Sequence, residues 1–219
     1  MIWCQPLVED LGHLDHAAAQ REAPRRFLAA VSGVAFDQDA YMSFMHDSAL
    51  ARSDVPPFAA PHLLCDEMLQ GLGRWLRAAG YDTEIATASR PDSVLLAASA
   101  RTGRVLLTCD RPLAARAAGR GPVLALPAGG LDAQAAALRE TLGIDWLLAP
   151  FSRCLRDNTV LAPAAAEERD RVPPKARALG GPVTACPDCG RLYWHGSHVQ
   201  RMAVRLRSWR GAGAGVARA

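Results

Sequence analysis

Between His62 and Gly143 short apolar runs alternate with longer amphipathic ones, and this alternation constrains the fold more than any other feature of the chain. "HLLC", "TEIA", "RVLLT" and "PVLAL" are each long enough for one buried strand. Between them lie helix-like stretches. "MLQGLGRWLRAAG" puts Leu69, Leu72, Trp75, Leu76 and Ala79 on one face and stops at Gly80, while "PDSVLLAASART", "RPLAARAAG" and "LDAQAAALRETLG" follow the later strands. Strands that alternate with helices in this way predict an α/β fold, a parallel sheet with helices on both faces.

The 219 residues suffice for one such domain and a smaller module, and a 50% hydrophobic, 21% charged composition suits a protein with a buried core. The boundaries expected are an N-terminal extension of unclear fold over 1–60, the α/β domain over 61–149, a metal-ribbon module over 150–204 and a loose basic tail over 205–219. A net charge of +3 permits nucleic-acid binding without requiring it, and Lys175 is the only lysine, an arginine bias better ascribed to codon composition than to phosphate recognition. No apolar run reaches the ~20 residues that span a bilayer. The amino terminus lacks a basic stretch followed by an apolar core, so neither a membrane protein nor a secreted one is expected, and the location predicted is cytoplasmic.

Open parallel sheets bind ligands beyond the C-terminal ends of their strands. Asp66 directly follows "HLLC", Asp110 follows "RVLLTC", and Asp92 opens the helix between the second and third strands. Three carboxylates meeting at that edge would raise one another's pKa unless a divalent cation lay between them. Magnesium or manganese suits such oxygen ligands and can activate water against a phosphodiester. Helix capping is the competing explanation: Ser89 and Asp92 fit a capping box, and Asp110 can cap the helix that begins at Arg111.

The cysteines point to a second metal. Cys65 and Cys109 lie in apolar segments, whereas Cys154, Cys186 and Cys189 lie among polar and turn-forming residues. "CPDCG" is a zinc-knuckle sequence flanked by two strand candidates, "GPVTA" and "RLYW", which disfavours a thioredoxin-like redox site. Three thiolates need a fourth partner, and Asp157, His195 and His198 are all candidates. Farther on, Arg191, Tyr193, Trp194, Arg201, Arg205, Arg207 and Trp209 interleave cations with aromatic rings. That mixture can hold RNA, with Arg191, Trp194 and Arg201 as the substrate contacts, or can equally be a small core with solvated arginines. Arg74 and Arg77 read as surface charges.

Together "LLCDEMLQGLGRWLRAAGYDTEIA", "PDSVLLAASARTGRVLLTCDR" and "CPDCGRLYWHGSH" resemble the Mut-seven C-terminal RNase domain, a branch of the PIN-like nucleases, over roughly residues 62 to 202. The resemblance implies a PIN-like sheet followed by a zinc ribbon. It further implies RNA as substrate and magnesium or manganese held by Asp66, Asp92 and Asp110. Larger PIN domains carry a further acid, for which Glu67 and Glu84 are candidates here. The family also has a Cys-x-x-Cys pair where this chain offers Cys154 and Asp157. The activity expected is metal-dependent ribonuclease, with a non-catalytic nucleic-acid-binding protein or a structural interaction module as the alternatives.

Overall fold

The computed structural model describes residues 60–87, 90–117, 119–178 and 180–211. Strand β1 (Leu63–Cys65) leads through a single 3-10 turn (Glu67–Leu69) into α1 (Gln70–Ala79). Then follow β2 (Thr83–Ile85), α2 (Asp92–Thr102), β3 (Val105–Thr108), α3 (Arg111–Arg116), β4 (Val123–Ala125) and α4 (Leu131–Leu142). The four strands form one parallel sheet in the order β2-β1-β3-β4, with Leu63 opposite Thr83 on one side and Val105 on the other.

Successive strand residues face opposite sides, and that alternation sorts the core into two layers. Leu63, Cys65 and Leu107 point to one side, against Leu72, Trp75 and Leu76 of α1 and Leu138 of α4. Leu64 and Leu106 point to the other, against Leu95 and Leu96 of α2 and Leu113 of α3. Two glycines allow the close fit of α1. A Cβ on Gly73 would lie 2.6 Å from Ile85 Cγ1, and Gly80, at φ 104°, ends the helix where a Cβ would lie 2.5 Å from Ala149 O. Tyr81 N–H returns to Leu76 O at 3.0 Å and closes the turn.

The second module is a three-stranded antiparallel sheet in the order β5-β6-β7, built from β5 (Ala162–Pro163), β6 (Val183–Ala185) and β7 (Leu192–Trp194). Two one-turn helices, α5 (Ala166–Arg169) and α6 (Pro174–Arg177), separate β5 from β6. β6 and β7 pair Val183 with Trp194 and Ala185 with Leu192, so the "CPDCGR" segment is the turn between them. The two sheets share one continuous core, since Cys154, Leu155, Cys186 and Tyr193 pack into the same cluster as β1 and α1.

The loose tail expected from residue 205 differs from what is found. Helix α7 runs Ser197–Arg210 and returns to the first domain. Val199, Met202, Ala203, Leu206 and Trp209 form its buried stripe, with Leu206 wholly buried. The spacing of those five residues is helical, but the arginines between them dominate the composition of the segment. Trp209 completes an aromatic group, its ring centroid 4.9 Å from that of Trp75 and 4.8 Å from that of Trp146. The N-terminal extension, apart from Ala60, and residues 212–219 lie outside the described residues.

Candidate active site and metal centre

In the order β2-β1-β3-β4 the chain reverses its direction of travel between β1 and β3, and loops leaving those two strands diverge to opposite faces. Asp66 and Asp110 stand at the two sides of that opening. Asp66 is buried, at 4% exposure. Its Oδ1 accepts from the amides of Met68 (2.9 Å) and Leu69 (3.1 Å), and its Oδ2 accepts from the Thr108 hydroxyl. The same hydroxyl accepts from the amide of Asp110 at 2.9 Å. Thr108 therefore ties the two acids together. Burial pushes the Asp66 carboxyl above its ordinary range, against the pull of these hydrogen bonds, and the nearby charge of Asp110 adds to the rise. Asp110 caps α3, its Oδ1 accepting from Leu113 N at 3.1 Å. Its other oxygen has no hydrogen-bond partner among the described residues.

Asp92 is placed differently. It is the first residue of α2, with Pro91 in the capping position and no side-chain capping bond, so it is not the third-position acid of a capping box; Ser89 lies outside the described residues. Its carboxylate is paired with Arg116, in the last turn of the helix whose first turn Asp110 caps. The structure thus joins Asp66 to Asp110 and sets Asp92 against the far end of α3. Of the other acids, Glu84 pairs with Arg104 at 3.0 Å and Glu67 is exposed on the turn after Asp66.

Among the described residues, the donor atoms that converge most tightly are those of Cys154, Asp157, Cys186 and Cys189, all within 4.8 Å of one another. The three aspartates form no group of that kind. A tetrahedral zinc, with Zn–S near 2.3 Å and Zn–O near 2.1 Å, sets S···S at about 3.8 Å and S···O at about 3.6 Å. Here Cys154 Sγ and Cys186 Sγ lie 3.5 and 3.6 Å from Asp157 Oδ2, and Cys154 Sγ lies 3.9 Å from Cys189 Sγ. The cluster has the dimensions of a zinc site and could hold a metal of that kind. Burial acts to raise Asp157, but hydrogen bonds with Cys189, Cys154 and Cys186 outweigh it and hold the carboxyl below its ordinary range, which leaves an anionic ligand. Burial, followed by the hydrogen bond to Asp157, pushes the Cys189 thiol up to about 12, a crowding of acidic groups that a divalent cation relieves. The fourth donor in the cluster is an oxygen of Asp157. His195 and His198 are buried outside the cluster, and His195 packs against Gly181.

The loop carrying these ligands is fixed by a residue that the sequence reading assigned to the surface. Arg77, only 6% exposed, donates from Nε to Thr83 O (2.8 Å) and from Nη1 to Leu155 O (2.9 Å) and Arg156 O (2.6 Å). It fastens β2 and the Cys154–Asp157 turn to α1. Tyr193 Oη does the same from β7, 3.0 Å from Cys154 Sγ and 3.1 Å from Leu155 N. The alternation of "GRWLRAA" places Arg77 three residues after Arg74 and beside the apolar face, which hints at burial without revealing the partners.

The expected substrate contacts separate. Arg191 is half-buried beside the knuckle, Arg201 is exposed on α7, and Trp194 is wedged between the main core and the small ribbon core of Ala164, Val172, Ala185 and Leu192.

A parallel α/β sheet with two acids at its switch point is fused here to a cysteine-rich ribbon whose Cys3Asp cluster could hold a metal. The chain belongs to the Mut7-C RNAse domain family, whose model matches residues 61–206. No curated protein and no solved structure gives a significant match to the chain. No helix among the described residues is long and apolar enough to cross a membrane.

Proposed function

We propose that this protein is a metal-dependent ribonuclease that hydrolyses RNA phosphodiester bonds at the Asp66–Asp110 edge of the sheet. The observation that carries the reading is the Thr108 hydroxyl, which bonds to the buried Asp66 carboxylate, of raised pKa, and to the backbone amide of Asp110, so that both acids stand at one edge of the sheet. Two carboxylates at one edge of the sheet are the ligand type that magnesium or manganese prefers, and such an ion would supply Lewis acidity and an activated water. Asp66 and Asp110 are its ligands. Asp92 takes an outer position, paired with Arg116.

Zinc in the Cys154, Asp157, Cys186 and Cys189 cluster is structural, because all four protein ligands close the coordination sphere. A reducing cytoplasm would keep the three thiols available to it. The second reading, a nucleic-acid-binding protein without catalysis, is favoured by the diversion of Asp92 onto Arg116. Manganese-dependent cleavage of single-stranded RNA, measured beside Asp110→Asn, decides between them. Cleavage that disappears in the variant supports the nuclease. Equal RNA binding with no cleavage by either protein supports the second reading.

A further inference from the structure

The metal knuckle is built unevenly. Cys154 and Cys186 are buried, at 0% and 1% exposure, whereas Cys189 and Asp157 are exposed. One thiolate of the cluster therefore meets solvent, and with it any small oxidant dissolved there. Only the sulfur ligands can be oxidised under such conditions, so the redox chemistry of the site is confined to three atoms. Two of them, Cys154 Sγ and Cys189 Sγ, lie 3.9 Å apart and come from segments separated by 35 residues. A disulfide bond is about 2.0 Å long, so closing this pair asks for a movement of side-chain size, about 2 Å. The turn that carries Cys154 does not rely on the metal for its place. Arg77 Nη1 holds the carbonyls of Leu155 and Arg156, and Tyr193 Oη holds the amide of Leu155. None of these bonds involves the sulfurs or the carboxylate of the cluster, so Cys154 continues to face the knuckle when the metal has gone.

We infer that Cys189 and Cys154 are a modification site for hydroperoxides, a dithiol pair whose closure to a disulfide dismantles the metal knuckle. That the metal is zinc rests on the reading above; the pairing rests on the sulfur geometry alone. The exposed Cys189 thiolate attacks one oxygen of hydrogen peroxide, so that an S–O bond forms, the O–O bond breaks and hydroxide leaves. Cys189 is then a sulfenic acid. The Cys154 thiolate attacks its sulfur, the S–S bond forms, and a second hydroxide leaves. Two thiolates have together lost two electrons, and one peroxide, with two protons from solvent, has become two waters. Sulfurs joined in a disulfide are no longer thiolate ligands, so the site keeps only Cys186 and Asp157 where a closed zinc site needs four partners. The metal is released. A small dithiol reverses the closure by exchange, and the turn held by Arg77 and Tyr193 is in place to be reloaded.

The test uses full-length protein carrying Cys4→Ser and Cys109→Ser, so that the knuckle thiols and the wholly buried Cys65 are the only ones left. Zinc-loaded protein is treated with hydrogen peroxide beside a chromogenic zinc chelator, and the disulfides are then mapped by mass spectrometry of non-reduced peptides. Release should approach one zinc per chain, with Cys154 linked to Cys189, and dithiothreitol with added zinc should restore the loading. Cys189→His keeps a zinc ligand but removes the exposed nucleophile, and should release its metal at least about tenfold more slowly. If that variant holds no zinc, metal-free protein with Cys189 in place carries the test, and peroxide should link Cys154 to Cys189 there too. Zinc that stays bound under peroxide overturns the inference and leaves the structural zinc standing, as does release accompanied by a Cys186–Cys189 link. Protein that is isolated without zinc, yet closes the Cys154–Cys189 bond, upholds the pair and removes the zinc reading.

Discussion

Replacing Trp209 by alanine should destabilise the whole protein, although the residue lies ten positions from the end of a segment rich in arginine. The side chain is 5% exposed, packs edge-on to Trp75 at 4.9 Å and tilted against Trp146 at 4.8 Å, and donates from Nε1 to Asp132 Oδ1 at 2.6 Å. Truncating a buried tryptophan costs about 3–5 kcal/mol, in which the aromatic pairs take a share of roughly 0.5–1.5 kcal/mol each. For a chain of this size each kcal/mol moves the melting temperature by about 2–4 °C, so a loss of about 4 kcal/mol lowers it by roughly 8–16 °C. Thermal unfolding followed by circular dichroism measures this directly. Trp209→Phe should recover part of the loss, and Arg207→Ala, on the exposed face of the same helix, should stay within about 0.5 kcal/mol of wild type. A Trp209→Ala cost below about 1 kcal/mol would refute the packing argument. A corollary is that truncation after Met202 removes Leu206 and Trp209 from the core, so weaker RNA binding by such a protein says nothing about the tail's arginines.

Metal analysis of protein purified under reducing conditions without chelator should find close to one zinc per chain, lost in Cys186→Ser and retained in Asp157→Cys; absence of zinc from wild type would sink the knuckle. Asp66→Asn and Asp110→Asn should each abolish manganese-dependent cleavage, and Asp92→Asn should reduce it least, which steady-state rates will rank. Because Asp66 has a raised folded pKa, its stabilising contribution is present below the unfolded carboxylate value of 3.8 and lost as pH rises through the folded value. Asp66→Asn should therefore be as stable as wild type or more so in metal-free neutral buffer, and any advantage should vanish in acid. Asp82 has the opposite sign. Burial acts to raise it, but hydrogen bonds from Arg104 and Asn158 bring it down to about 2, so its contribution is present above 3.8 and lost as pH falls towards 2. Asp82→Asn should remove that part of the acid-unfolding slope, and an unchanged slope between those pH values would contradict the assignment.

The order of strands and helices from His62 to Gly143 was legible in the sequence because each element declares itself locally. Apolar runs of strand length, the helical spacing around Trp75 and the stop at Gly80 depend only on residues close in the chain. The knuckle cysteines were legible for the same reason, since Cys-x-x-Cys followed by glycine is a local turn. What joins distant segments was not. Only the fold places Thr108 between Asp66 and Asp110, turns Asp92 onto Arg116, and selects Asp157 over two nearby histidines by setting its oxygen 3.5 and 3.6 Å from two sulfurs. Arg77 and Trp209 show the physical reason most clearly. A charged or amphipathic side chain has no fixed preference for inside or outside until its partners are known, and theirs lie in other elements: the carbonyls of residues 83, 155 and 156 for Arg77, and the rings of Trp75 and Trp146 for Trp209.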